Sequence, residues 1–149
     1  MSDETLVVCS RCGAVNRLLA GKPANEGKCG KCHAALFSGH PEDVSAAIFD
    51  KHVSRGTVPV LVDVWAPWCG PCKMMAPAFE AAARELEPRV RLIKLNSDNE
   101  QALAGRLGIR SIPTMILFRG GTELARTSGA LSASQILSWA RDRLRLTGA

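Results

Sequence analysis

The sequence predicts an α/β fold, a central mixed sheet flanked by helices on both faces, preceded by a small cysteine-rich module. Three observations carry that expectation. Residues 60–65, 90–95 and 114–118 are nearly continuous β-rich apolar runs, which suit strands buried on both faces of a sheet. Helical periodicity lies between and after those runs. All six cysteines fall into Cys-x-x-Cys pairs: Cys9/Cys12, Cys29/Cys32 and Cys69/Cys72. The first two pairs lie close together, and the third stands where a strand run gives way to a helical one.

Taken in order, residues 1–38 hold few large apolar groups, chiefly Leu6, Val7, Val8, Val15, Leu18, Leu19, Leu36 and Phe37. So short a segment needs a staple to fold. Gly39-His40-Pro41 reads as a boundary, dividing a module at 1–38 from a domain at 39–149. Residues 45–55 read as an amphipathic helix with Ala47, Ile48 and Val53 inward. The run at 60–65 ends at Ala66-Pro67-Trp68-Cys69. Cys72, Met75, Ala76, Phe79, Ala83 and Leu86 then repeat at helical spacing, so a helix starts at or just after Cys69, is kinked at Pro77 and ends at Pro88. Asp98 with Gln101 resembles a capping box for a helix that stops near Gly108. Arg119-Gly120-Gly121 reads as a hairpin turn returning into an edge strand over 122–127. Ser132 with Gln135 caps a last helix running to Leu146. Strand–helix–strand order favours parallel neighbours, and the hairpin adds antiparallel ones.

Composition narrows the function. With 46% hydrophobic and 22% charged residues the chain reads as globular. The formal net charge of +5 is scattered, without a basic block. The acidic start at Ser2-Asp3-Glu4 has no apolar run behind it, unlike a secretory signal, and no window is long and apolar enough to span a membrane. A cytoplasmic chain is expected. In a reducing compartment, closely spaced cysteines bind metal or do redox chemistry more often than they form structural bridges.

The two N-terminal pairs, sixteen residues apart, match the spacing of a structural zinc site. Cys9, Cys12, Cys29 and Cys32 would hold one Zn²⁺ as a tetrahedral tetrathiolate, with Gly13 and Gly30 giving tight turns. Two disulfides or an iron–sulfur centre are the alternatives. Bound zinc with four thiolates adds −2, taking the formal charge from +5 to +3.

The third pair suits thiol–disulfide exchange. A helix N-terminus stabilises a thiolate, and two cysteines at i and i+3 of a first turn can close a disulfide. Cys69 would attack and Cys72 resolve. Gly70 allows close approach of a substrate chain, and Pro71 costs no hydrogen bond at a helix start. Asp63, alone in an apolar run, is costly unless paired or protonated. It is either a structural acid, bonded to backbone or to Lys94, or a buried proton carrier for Cys72. Trp65, Trp139 and the Met74-Met75 pair read as packing, and His33, His40 and His52 as non-catalytic.

The stretch from Val62 to Lys73, with Trp68-Cys69-Gly70-Pro71-Cys72 at its centre, resembles the active-site strand and helix of the thioredoxin family. Further likeness lies in Lys94-Leu95-Asn96, in Gly108 to Thr114 and in Ser128-Gly129-Ala130-Leu131. With the N-terminal cysteines, the chain is most similar to the bacterial thioredoxin 2 type, in which a zinc module precedes the domain. The resemblance implies a thioredoxin fold and a protein-disulfide reductase without organic cofactor. It implies Cys69 as nucleophile, Cys72 as resolving thiol, and Asp63 with Lys94 as the buried proton carrier. It also implies a cis Pro113 facing the sulfurs, Ile112 offering its backbone to a substrate, and a docking rim of Trp68, Gly70, Pro71 and Gly129. Val64 departs from the pattern, where an aromatic residue is common. Implied partners are disulfide-containing client proteins and an NADPH-dependent flavoprotein reductase, with the chain a monomer. Competing roles are a nucleic-acid or protein binding module and a disulfide isomerase or holdase. For nucleic acid, Arg11, Arg17, Lys22, Lys28 and Lys31 give charge, but Phe37 is the only aromatic ring there for stacking.

Overall fold

The computed structural model of the chain describes residues 5–19 and 23–146. Lys22 and the acidic start lie outside the described residues. The domain is built on a five-stranded sheet in the order β3-β5-β4-β6-β7. The strands are β3 (Glu42–Asp43), β4 (Val60–Trp65), β5 (Arg91–Asn96), β6 (Thr114–Arg119) and β7 (Thr122–Ser128). β3, β5 and β4 run parallel, whereas β6 and β7 are antiparallel to their neighbours. The short strand β3 has no hydrophobic pattern and was not legible in the sequence; pairing with β5 alone defines it.

Alternation along β4 divides the core in two. Leu61 joins Leu92, Met115 and Leu117 beneath helices α2 (Gly70–Leu86) and α4 (Ala133–Leu144), which contribute Met75, Phe79 and Ile136. Val60, Val62 and Val64 face the other way with Ile93, Leu95 and Ile116, covered by α1 (Ala46–Arg55) and α3 (Gln101–Arg106). Successive strand residues point to opposite faces, so every residue of the 60–65 run finds a core. Asp63 shares the Leu61 face.

Four local expectations change. In α1 the buried residues are Phe49 and His52, while Ala47 is exposed. Asp98 does not cap α3: its N-cap is Glu100, without a side-chain cap, and the Glu100 carboxylate instead accepts the Ala46 N–H at 2.9 Å. Met74 is 77% exposed, because α2 turns its Met75 side to the core. Helix α4 ends at Leu144 rather than Leu146, though its capping box at Ser132 and Gln135 is present. Helix α2 stops at Leu86, just before the cis Glu87–Pro88 bond.

The N-terminal segment forms a hairpin of β1 (Thr5–Val8) and β2 (Val15–Leu18), with a small core of Val7, Cys9, Cys29, Leu36 and Phe37. It lies against the domain. The buried Arg91 guanidinium donates to Leu36 O at 2.6 Å and Val8 O at 3.3 Å, stacks 4.2 Å from the Phe37 ring, and pairs with Glu87 at 3.5 Å. Glu87 in turn accepts the Gly39 N–H at 3.2 Å. His52 shares a 3.0 Å hydrogen bond with Ser10, and burial, helped by the Arg91 charge, pushes its pKa down to about 3.

Candidate active site and metal centre

Helix α2 starts at the third cysteine pair because that pair supplies its cap. Cys69 is the N-cap, with extended backbone, and its sulfur accepts the Cys72 N–H at 3.2 Å. Pro71 occupies the first turn, where a missing N–H is harmless. The sulfur therefore sits at the positive end of a 17-residue helix, where free N–H groups favour a thiolate. The Cα atoms are 5.3 Å apart and the two residues form a disulfide. In this form both are covered, Cys69 at 4% and Cys72 at 3% exposure, so accessibility does not tell attacker from resolver. Of the two, only Cys69 holds the cap position.

Opposite the pair, the Ile112–Pro113 bond is cis, as the resemblance implies. The Ile112 carbonyl oxygen lies 3.7 Å from Cys69 Sγ. Gly129 N–H donates to Pro113 O at 2.9 Å, and the Thr114 hydroxyl donates to Ser111 O at 2.6 Å, which ties the loop to β7 and β6. Trp68, Gly70, Pro71 and Gly129 are exposed around the pair. A Cβ on Gly70 or Gly129 would meet nothing within 4 Å, so the chain leaves open space at both. The Trp68 indole N–H donates to the Asp98 carboxylate at 3.1 Å. Asp98 thus orients this exposed ring, a placement only the folded loop reveals.

Asp63 is fully buried, and neither of its carboxylate oxygens has a hydrogen-bond partner. The alternative of a structural acid bonded to backbone or Lys94 is not what forms. Lys94 Nζ lies over the Trp65 ring, 4.4 Å from its centroid. Burial pushes the Asp63 pKa from 3.8 up to about 7; Lys94 opposes that shift and Asp43 adds to it. Trp65 and Ile112 each pack against the cluster of Ala66, Cys69 and Cys72, and Trp65, two residues beyond Asp63 on β4, shares its face of the sheet.

The other four cysteines converge. The sulfurs of Cys9, Cys12, Cys29 and Cys32 all lie within 4.8 Å of one another, and Cys9–Cys32 and Cys12–Cys29 are each 3.6 Å apart. A tetrahedral metal with bonds of about 2.3 Å requires sulfur–sulfur edges of about 3.8 Å, so this group could hold a metal ion. Each pair sits on the same turn. Cys9 N–H donates to Ala14 O and Gly13 N–H to Cys9 O; Cys29 N–H donates to Ala34 O and His33 N–H to Cys29 O. The turn residues at positive φ are Gly13 (77°) and His33 (67°), not Gly30 as expected, because the left-handed position comes after the second cysteine of each pair. The Cys32 backbone N–H, aided by Lys31 N–H, Asn16 and Cys12, outweighs burial and lowers the Cys29 thiol to about 6, toward the thiolate a metal requires.

A family profile described as thioredoxin matches residues 40–142. The chain belongs to the thioredoxin family. Among its relatives, Thioredoxin C-3 of Corynebacterium nephridii is 40% identical over 140 residues, covering 94% of this chain and 96% of that one. An alignment of that length runs through most of the four-cysteine segment. The thioredoxin of Pseudomonas aeruginosa is 43% identical over 103 residues, 69% of this chain and 95% of its own. Among solved structures, chloroplastic thioredoxin z superposes with a TM-score of 0.65 at 28% identity, covering 71% of this chain and 96% of that one. A mutant thioredoxin of Halobacterium salinarum gives 0.65 at 29%, covering 74% and 96%. The protein is therefore a thiol–disulfide oxidoreductase of the protein-disulfide reductase class. Members of this family act on disulfide-containing proteins and are reduced by thioredoxin reductase. No helix among the described residues is long and apolar enough to cross a membrane.

Proposed function

We propose that this thioredoxin reduces client disulfides with Cys69 as the attacking thiolate and Cys72 as the resolving thiol. The observation that supports the assignment is the cap: Cys69 Sγ receives the Cys72 N–H at the start of α2, facing the Ile112 carbonyl across the cis bond. The Cys69 thiolate attacks one sulfur of a client disulfide, forming a mixed disulfide and releasing the other sulfur as a thiolate. Cys72 gives its proton to the Asp63 carboxylate and attacks Cys69 Sγ. The intramolecular disulfide forms, the client's second sulfur leaves as a thiolate, and Asp63 gives it the proton taken from Cys72. Two electrons pass from the dithiol to the client. An NADPH-dependent flavoprotein reductase would restore the dithiol. Trp68, Gly70, Pro71 and Gly129 form the rim, the Ile112 backbone next to Pro113 receives an extended client strand, and Lys94 tempers the Asp63 charge.

In the same reading, residues 1–38 are a zinc module and residues 39–149 the catalytic domain of a monomeric cytoplasmic protein. Cys9, Cys12, Cys29 and Cys32 hold one Zn²⁺, which supplies folding energy to a segment with a small core. A Cys72→Ser variant in lysate tests the proposal. It should accumulate mixed disulfides with client proteins through Cys69. Trapping through Cys9, Cys12, Cys29 or Cys32 instead would refute the assignment.

A further inference from the structure

Strands β3, β5 and β4 lie side by side, and their register sets Asp43 beside Lys94 and Lys94 beside Asp63. Lateral neighbours point to the same face, so an acid, a base and a second acid form one row across the sheet. Trp65, two residues beyond Asp63, shares that face. Its indole N–H donates to Asp43 Oδ1 at 2.7 Å, and its ring carries the Lys94 ammonium at 4.4 Å. Lys94 is therefore engaged by the indole, while both Asp63 oxygens lack a partner. An exposed aspartate on a two-residue edge strand is ordinarily a solvated charge. Here it fixes a half-buried ring that packs against the cluster of Ala66, Cys69 and Cys72. An open cleft of about 460 Å³, lined by Asp43, Trp65, Asn96, Asn99 and Glu100 among others, brings water to the outer side of this clasp.

We propose that Asp43 is a positioning residue for the proton carrier: by holding Trp65 it keeps the Lys94 ammonium on the indole and off Asp63. The proposal rests on the reading of Asp63 given above. Few ionisable groups face that carboxyl. Lys94 comes from β5 and Asp43 from β3 beyond it. Strand β6 presents the uncharged Met115 as register partner. Helix α2 brings Cys69 and Cys72, which do not titrate as a disulfide, and the exposed Lys73. Without Asp43 the indole loses its anchor, and the Lys94 side chain is free to close on Asp63. The negative charge that favours protonated Asp63 also disappears. Both changes stabilise the carboxylate, so Asp63 would ionise at lower pH and become a poorer proton donor near neutrality.

The test is a titration of the Asp63 carboxyl carbon by NMR in the full-length oxidised protein, in which Cys69 and Cys72 cannot titrate. Asp43→Ala, which removes the acceptor for the indole, should lower the Asp63 midpoint by roughly half a pH unit or more, about a threefold change in its ionisation constant. Asp43→Glu, which keeps an acceptor for the indole, should restore most of it. In a Lys94→Met background the Asp43→Ala shift should shrink. An unchanged midpoint in Asp43→Ala overturns the proposal, and so does a shift that survives in full without Lys94, since Asp43 would then act by charge alone. The carrier role itself is checked separately. If Asp63→Asn keeps full turnover from pH 6 to 8, that role falls, whatever the titration of Asp63 shows, and Asp43 has nothing to position.

Discussion

The Cys69/Cys72 pair and the two N-terminal pairs share one spacing, yet they meet opposite fates because the chain takes different paths after the second cysteine. After Cys72 it continues into α2, so Cys69 becomes a helix cap and its sulfur has a single sulfur neighbour. After Cys12 and Cys32 it takes a positive φ, at Gly13 and His33, and folds back on itself. Each sulfur there faces three others. Two intervening residues bring two sulfurs within reach in either case. A helix then presents one sulfur to a partner, whereas a pair of back-folded turns brings four together in a group that could hold a metal ion.

The largest effect should separate these two regions by activity. Cys69→Ser should lower disulfide reduction by more than roughly a thousandfold, since a hydroxyl at a helix cap cannot replace the attacking thiolate. Cys12→Ser should leave turnover by the folded domain within a few-fold of the parent while abolishing tight metal retention. Insulin reduction and chelator-detected metal content measure the two. Equal loss of turnover in a folded Cys12→Ser protein would make the four-cysteine group part of the catalytic centre.

The next effect tests how firmly the two regions are joined. Arg91 is buried between them, holding the carbonyls of Val8 and Leu36 on one side and Glu87 on the other. Arg91→Ala strands the Glu87 carboxylate and both carbonyls, so denaturant unfolding should show a loss of about 3–5 kcal/mol. A chain beginning at Gly39 strands Arg91 from the other side and should be less stable than the full protein, though still redox-active. A loss under about 1 kcal/mol in Arg91→Ala would mean the module is merely tethered.

Much of this was legible beforehand where the signal was local. The strand over 60–65, the helix start at Cys69 and the Ser132 cap each come from a few adjacent residues. Asp63 stood out because it interrupts an apolar run. The four sulfurs were legible from spacing. Arg91, Asp43 and Asp98 were not, because their roles depend on partners 22 to 83 residues away in sequence. Asp98 sat three residues before a glutamine, a pattern that fits a cap as well as an indole acceptor. Asp43 lies on a strand defined only by its neighbour.

Asp63 offers a contrast with the thiolates of the module, which should be ionised when metal is bound. Its folded pKa of about 7 lies above the 3.8 of an exposed aspartate. The native protein therefore holds this proton more tightly between those values, so its contribution to stability is full below about pH 4 and is lost as pH rises through 7. Asp63→Asn escapes that loss. The oxidised variant should be more stable than the parent by about 1–3 kcal/mol at pH 8, less than the full shift implies because a buried amide also lacks partners. At pH 4 the gain should vanish. Turnover should slow at both pH 6 and pH 8. A gain that is the same at pH 4 and pH 8 would show that ionisation of Asp63 is not its source.

The smallest effect compares the two cysteine-bearing turns with each other. They share backbone hydrogen bonds, but Gly13 takes the left-handed position in one and His33 in the other. A side chain at positive φ brings its Cβ toward the carbonyl, at a cost of roughly 1–2 kcal/mol that glycine avoids. His33→Gly should therefore stabilise the second turn, but by only about 0.5–1 kcal/mol, because glycine also gives the unfolded chain more freedom. Gly13→Ala should destabilise the first turn by more, since its Cβ would also stand 3.4 Å from both Ile48 and the Lys51 ammonium, which donates to Gly13 O. Metal release on heating reads both changes in the module without involving Cys69. Opposite shifts in the release temperature, upward for His33→Gly and downward for Gly13→Ala, are expected. Release at a lower temperature from His33→Gly would show that the imidazole makes a contact worth more than the backbone strain it imposes.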